Sequence, residues 1–164
     1  MQVEQLAVAG RDGDDVTTAT DPTTELNALE GGSLYTYVVG VLSDAGESDK
    51  SDEMTASTAP GVATALVSTH QSSSSITLSW AEAPVDTGSA VTGYKVYRDD
   101  GAGGAVDVVA YDSRENSGDY VATSCSVSGL TGGLTYTYEV SALSLAGESD
   151  RSAAMVSPLS LIHI

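Results

Sequence analysis

Phenylalanine is absent from this chain of 164 residues, and cysteine and tryptophan occur once each. A single cysteine forms neither an internal disulfide nor a thiolate zinc site, which excludes disulfide-stapled and zinc-cysteine folds. Lysine and arginine number 6 against 23 acidic residues, so the net charge is −17. Because nucleic acid and anionic lipid attract clustered cations, this charge makes both poor partners, and we expect no binding to nucleic acid. No apolar run approaches the ~20 residues of a membrane helix, so we expect no membrane insertion within this segment.

An internal repeat with an offset of 101 residues organises the chain. Leu29–Met54 aligns with Leu130–Met155 without a gap, and 16 of the 26 positions are identical. The same offset places Met1 midway through the second copy, so the first copy lacks its front. The sequence therefore predicts that residues 1–59 are the last four strands of one repeat and that residues 60–158 are a complete repeat.

Six residues follow the second copy, Leu159–Ile164. Read back into codons, this tail resembles the transposase end sequence used in sequencing libraries. The alternative is a genuine apolar start to the next strand. Under either interpretation we expect the chain to be a piece of a longer protein.

Apolar and polar residues alternate wherever a period can be read, which predicts half-buried β-strands. In Ile76–Trp80, for example, the apolar side chains share one face and the hydroxyls share the other. Glycine-rich turns separate about seven short strands in about 100 residues, a pattern typical of an antiparallel two-sheet sandwich. The predicted core side chains are Ile76, Leu78, Trp80, Tyr94, Val96, Cys125, Val127, Leu130, Tyr136, Tyr138, Val140 and Ala142.

The second copy resembles a fibronectin type III domain over nearly its whole length. The matching features are Trp80 at the end of the second strand, Val91–Arg98 as the third strand, and Leu130–Ala142 as the turn into the sixth. The resemblance implies an all-β fold, a seven-stranded immunoglobulin-like antiparallel β-sandwich. Tyr136 occupies the place of a tyrosine corner, whose hydroxyl bonds to backbone a few residues upstream. We expect buried tyrosines to have hydrogen-bond partners.

Catalytic and cofactor chemistry have no support in the sequence. His70 and His163 are the only histidines, and we expect His70 on the solvated surface, in the turn between the first two strands. No nucleophile elbow, phosphate loop or dinucleotide fingerprint occurs. Cys125 lies two residues before Val127 and so faces the same side of the predicted strand, which favours a packed hydrophobic side chain over a redox group. We therefore predict no enzyme activity and no cofactor.

The acidic segments raise the question of a metal site. An EF-hand loop beginning at Asp12 would need glutamate at its twelfth position, where Thr23 stands. The run from Glu47 to Glu53 is expected to be solvated charge, the alternative being a loosely held calcium at the junction between the copies. We predict no metal site.

Three loops are the candidate binding surfaces. One is the loop from Ala83 to Ala90, and another is the hairpin tip from Asp99 to Gly104. The third precedes the last strand, where adhesive family members can carry Arg-Gly-Asp, but this chain has Leu-Ala-Gly-Glu, which gives an integrin role no support. The candidate residues in the three loops are Asp86, Asp99, Asp100, Gly101 and Glu148.

The resemblance implies a non-catalytic structural module from a larger multidomain protein, extracellular or on the cell surface, although an intracellular location stays open. Its partners would be neighbouring repeats in the parent chain, with other proteins or glycans as further candidates. The short link from Met54 to Pro60 predicts repeats that lie end to end and act as spacers. Two alternatives remain: a protein- or carbohydrate-binding adhesion module, and an accessory module of a secreted polysaccharide-degrading enzyme.

Overall fold

The computed structural model describes residues 29–43, 45–115 and 121–161. Every regular element in these residues is a β-strand, and every strand pair is antiparallel, which confirms the predicted all-β class. The acidic segment around Asp12 and any strands before residue 29 lie outside the described residues. The strands β1 to β12 are Leu34–Tyr37, Leu42–Ser43, Gly46–Glu47, Met54–Ser57, Thr64–Gln71, Ser75–Ala81, Val91–Arg98, Val108–Asp112, Ser124–Ser128, Thr135–Ser144, Gly147–Glu148 and Met155–Pro158.

Two sheets form the second copy. The first sheet has three strands in the order β5-β6-β9. The second has the order β11-β10-β7-β8, and β12 also pairs with β10. The inward faces of the two sheets enclose one hydrophobic core, as in a β-sandwich.

The last strand is interrupted, which is why the described residues of the second copy contain eight strands, β5 to β12, where seven were expected. β11 and β12 follow one another along the same edge of β10, separated by six residues. Within that gap, Ser149 Oγ accepts a hydrogen bond from the Ala142 amide at 2.9 Å, and Ser152 Oγ accepts one from the Val140 amide at 3.1 Å. These hydroxyls replace the backbone acceptors of a regular ladder.

The same arrangement occurs in the first copy. β1 pairs with β4 from Leu34↔Ser57, and β10 pairs with β12 from Thr135↔Pro158, which is the same register at an offset of 101. The amides of Val41 and Val39 donate to Ser48 Oγ and Ser51 Oγ, both at 2.9 Å. The repeat in the sequence is therefore also a repeat in hydrogen bonding.

All twelve side chains predicted to point inward are buried, with at most 8% of any of them exposed. Trp80 packs edge-on against Tyr94 with ring centroids 5.4 Å apart. The core also contains Leu159, which is 4% exposed and whose amide donates to the Leu134 carbonyl oxygen at 2.8 Å. The packed chain thus extends one residue beyond Pro158, the expected end of the repeat.

The buried tyrosines differ in how their hydroxyls are satisfied. Tyr136 accepts a hydrogen bond from the Thr131 amide at 3.0 Å, which is the tyrosine corner expected from the sequence. Tyr94 accepts one from the Ala83 amide at 3.1 Å. The Tyr138 hydroxyl has no partner among the described residues, contrary to expectation, and burial raises its pKa.

Burial also raises the pKa of the Cys125 thiol to about 12, in keeping with a packed hydrophobe.

We predict that Trp80→Ala lowers the free energy of unfolding by about 3–5 kcal/mol, because it leaves a large cavity in a core without phenylalanine. Urea unfolding followed by far-ultraviolet circular dichroism measures this loss. Val67→Ala is the control, since Val67 is 49% exposed on β5 and its truncation should cost about 0.5 kcal/mol or less. An unchanged urea midpoint in Trp80→Ala would refute the central role of this side chain.

Candidate functional site

Residues 31–33, the junction turn before β1, meet residues 83–90, the junction loop between β6 and β7. The Gly32 carbonyl oxygen accepts hydrogen bonds from the amides of Asp86 and Gly88, at 2.9 and 2.8 Å. Both donors are backbone groups of the second copy, and the acceptor is a backbone group of the first. The contact between the copies therefore depends on how closely the two main chains approach.

Two glycines permit this approach. A Cβ on Gly88 would lie 2.5 Å from the Gly32 carbonyl carbon, and a Cβ on Gly32 would lie 2.8 Å from the Pro84 carbonyl oxygen. Gly32 also has φ of +75°, a left-handed conformation that glycine adopts without strain. Beside them, the Leu34 amide donates to Thr87 Oγ1 at 3.1 Å. Side chains at either glycine would separate the two chains.

The junction turn is held by its own copy. Tyr35 accepts a hydrogen bond from the Glu30 amide at 2.8 Å, the counterpart of the Tyr136 corner. Thr58 Oγ1 accepts from the Ser33 amide at 3.0 Å and donates to the Glu30 carbonyl oxygen at 2.7 Å. The turn therefore presents its carbonyl from a fixed position.

The junction loop is held by the core of the second copy. Its first residue, Ala83, is buried, and its amide is bound by the hydroxyl of Tyr94, which packs against Trp80. The Pro84 carbonyl oxygen accepts a hydrogen bond from the Gly61 amide at 3.0 Å, which ties the loop to the link between the copies. The junction thus connects two anchored segments.

The predicted binding residues do not come together. Asp86 precedes β7 and is exposed, whereas Asp99, Asp100 and Gly101 follow its other end. Because β7 has 8 residues at ~3.3 Å each, the two loops are roughly 26 Å apart along the strand. They are separate surfaces.

Within the hairpin tip, Asp99 is an internal hydrogen-bond acceptor. The residue is 1% exposed, and its carboxylate accepts hydrogen bonds from the amides of Gly101 and Thr137, at 3.1 and 3.2 Å. Gly101 has φ of +82°, and a Cβ there would lie 2.7 Å from the Tyr136 ring. These contacts make the two residues structural parts of the turn.

Asp100 is the exposed carboxylate of the same tip. Hydrogen bonds from the amides of Ala102, at 2.8 Å, and Gly104, at 3.4 Å, lower its pKa below the usual range. It therefore carries negative charge toward solvent while its oxygen is engaged in the turn.

Glu148 lies in a cluster on the outer face of the second sheet, here called the outer cluster and composed of Lys95, Tyr97, Ser141 and Glu148. Glu148 Oε1 accepts hydrogen bonds from the hydroxyls of Tyr97 and Ser141 at 2.5 and 2.6 Å, and Lys95 Nζ lies 3.1 Å from Oε2. Partial burial opposes ionisation of Glu148, but the hydrogen bonds from Ser141, Tyr97 and Lys95 outweigh it, and the pKa is lowered. The carboxylate joins three strands.

Arg151 extends this cluster and was missed by the sequence reading. Its guanidinium lies 3.7 Å from the centre of the Tyr97 ring, and Nη1 is 3.4 Å from Glu139 Oε2 and is bound to the Val106 carbonyl oxygen. The alternation of residues along β10 predicts that the side chain of Glu139 points outward. It does not predict which residues of β7 and other segments lie beside Glu139 and Arg151. Only the strand register could have identified them.

We predict that Glu148→Gln reduces the acid sensitivity of the fold. Because the folded pKa of Glu148 is lowered, its contribution to stability is present above the unfolded pKa of about 4.3 and is lost as the pH falls through the folded value. The unfolding free energy should therefore fall less between neutral pH and about pH 3 in the variant than in the parent. Chemical denaturation across this pH range measures the difference.

Glu115→Gln is the matched control, since Glu115 is an exposed glutamate in the turn after β8. Its pH profile should follow that of the parent apart from the general effect of one charge removed. Coincident profiles for Glu148→Gln and Glu115→Gln would contradict a stabilising role for the outer cluster.

Other features of the described residues add little chemistry. His70 is exposed, as expected, but it lies within β5 rather than in the turn, which begins two residues later. An open groove of about 590 Å³ lies beside the junction loop and is lined mainly by aliphatic side chains and Glu82.

In the described part of the chain, no three His, Cys, Asp or Glu residues are placed to hold a metal ion. Nor does that part contain a helix long and apolar enough to cross a membrane.

Comparison with known proteins shows where this architecture occurs. Chitinase A1 of Niallia circulans is 33% identical over 151 residues, which is 86% of this chain and 19% of that enzyme. A crystal structure of a run of titin domains superposes with a TM-score of 0.53 at 19% identity, covering 95% of this chain and 55% of that one. A human fibronectin type III domain structure gives a TM-score of 0.52 at 20% identity, covering 64% and 90%.

The chain thus spans about a fifth of the length of its chitinase relative, and the two structural likenesses show the fold alone. The sequence profile of the fibronectin type III domain matches residues 59–157, more than half of the chain. This match agrees with the two antiparallel sheets, the tyrosine corner and the buried Trp80. The chain belongs to the fibronectin type III domain family.

Proposed function

We propose that this chain is a non-catalytic spacer from a larger surface or secreted protein, in which successive fibronectin type III repeats are held end to end. Residues 1–59 would be the last part of one repeat and residues 60–158 a complete one. The observation that carries the proposal is the pair of hydrogen bonds from Asp86 and Gly88 to the Gly32 carbonyl oxygen. This contact leaves the two copies little freedom to swing.

The link between the copies supports the same proposal. β4 ends at Ser57 and β5 begins at Thr64, so only six residues connect the two copies. Pro60 in this link is buried and fixes its own φ, and the Gly61 amide is bound to Pro84. A short link that is packed and hydrogen-bonded transmits orientation instead of acting as a flexible tether.

The mechanism is geometric. Each repeat adds about 30 Å, the length of nine or ten strand residues at ~3.3 Å each, and the junction fixes the direction of the next repeat. The net charge of −17 keeps neighbouring molecules soluble and apart. The internal contacts of Asp99 and Glu148 support this structural role over a binding role for the loops that contain them.

A second candidate is an accessory module of a secreted polysaccharide-degrading enzyme. The identity of 33% to chitinase A1 favours it, since that name describes an enzyme acting on chitin. The coding sequence on either side of this chain distinguishes the two candidates. Further repeats would support the spacer, and an adjoining catalytic domain would support the accessory module.

We predict that Gly88→Ala releases the junction, because the added Cβ would lie 2.5 Å from the Gly32 carbonyl carbon. Loss of the two backbone hydrogen bonds should weaken the docking of the copies by about 1–3 kcal/mol. Small-angle X-ray scattering of the full chain should fit one rigid shape for the parent. The variant should require an ensemble of relative orientations.

Gly104→Ala is the matched control. This glycine also lies in a loop and outside the left-handed region, and its Cβ would meet only the flexible carboxylate of Asp100 at 3.2 Å. Its scattering should match that of the parent. If Gly88→Ala scatters like the parent as well, the junction does not set the orientation of the copies and the spacer proposal fails.

A further inference from the structure

The turn before β10 in the second copy has the same construction as the junction turn. Gly133 corresponds to Gly32 at the offset of 101, and their φ angles are +82° and +75°. The tyrosine corners of Tyr136 and Tyr35 brace the two turns, and the strands that follow pair in the same register. We call residues 132–134 the distal turn.

The two turns differ in what covers them. In the junction turn Gly32 and Ser33 are buried, and the junction loop lies against them. In the distal turn Gly133 is exposed and Leu134 is 37% exposed. An equivalent loop bound to the distal turn would therefore bury it from solvent, as the junction loop buries the junction turn.

We propose that the distal turn is a docking site for the junction loop of a further copy of this repeat. The inference rests on the proposed function, because it takes the junction described above as the template. The groups that hold the loop in the first junction are the Gly32 carbonyl and the Leu34 amide, both backbone groups. Their counterparts belong to Gly133 and Thr135, so the replacement of Ser33 by Leu134 leaves this recognition intact.

The volume that such a loop requires in front of Gly133 is occupied by a single exposed side chain. At the first junction the backbone of Pro84 and Val85 fills the volume in front of Gly32. In front of Gly133 the side chain of Leu161 takes this place, with its Cδ2 2.6 Å from the position of a Cβ. Leu161 is 76% exposed, so the contact that it makes is readily displaced. At the first junction its counterpart is Pro60, which is buried.

The charge beside the distal turn also favours the junction loop of a further copy as its partner. Thr131 stands in the second copy where Glu30 stands in the first. The distal turn therefore presents one negative charge fewer to an approaching loop that carries Asp86. For an acidic repeat, this change lowers the repulsion that opposes docking.

A three-repeat chain tests the proposal, made from residues 1–160 followed directly by a second copy of residues 60–160. Amide hydrogen exchange measured by NMR reports each junction separately, through the amides of Asp86 and Gly88 and through their counterparts in the appended copy. We expect the appended pair to exchange about tenfold more slowly than in a version with Gly88→Ala in the appended copy. Gly104→Ala in the appended copy is the control and should keep this protection.

Two results would overturn the proposal, and they are distinguishable. If the appended amides exchange as fast as in the Gly88→Ala version while the original pair stays protected, the distal turn does not dock a repeat and the spacer proposal stands. If neither pair is protected, the first junction itself does not form and the proposed function fails with the inference.

Discussion

The carbonyl oxygen of Gly32 is the group on which the arrangement of this molecule depends. It accepts two amides of the junction loop, and it does so only because both chains carry glycine at the point of contact. Each hydrogen bond alone contributes little net stability. Their effect is large because donor and acceptor are held in place before they meet, so little conformational entropy is lost in docking.

Each side of that contact is braced by hydrogen bonds within its own copy. Tyr35 and Thr58 fix the junction turn, and Tyr94, packed on Trp80, fixes the start of the junction loop. The repeated serines have a similar structural purpose, because they bind the amides of the neighbouring strand where the last strand leaves its ladder. The tyrosine and the two serines that the copies share are therefore explained by hydrogen bonding within each copy.

How well the sequence predicts a feature depends on how far apart in the sequence the interacting residues are. The core was readable because parity along a strand decides which side chains point inward, and Trp80 and Cys125 are buried as that parity requires. Asp99 and Glu148 were expected as candidate binding residues, and the sequence does not show that their side chains form hydrogen bonds with groups 38 and 51 residues away. The contact between Gly32 and Gly88 could not be predicted either. A glycine in the sequence indicates a flexible backbone, but it does not identify the segment that packs against it.

We expect the two copies to form one rigid unit through the junction turn and the junction loop. Residual dipolar couplings of the backbone amides, measured on the full chain in a weakly aligning medium, report the motion of one copy relative to the other. For a rigid unit, the couplings of residues 31–57 and 60–159 should fit a single alignment tensor. Two tensors of clearly different magnitude would show independent motion of the copies and contradict this expectation.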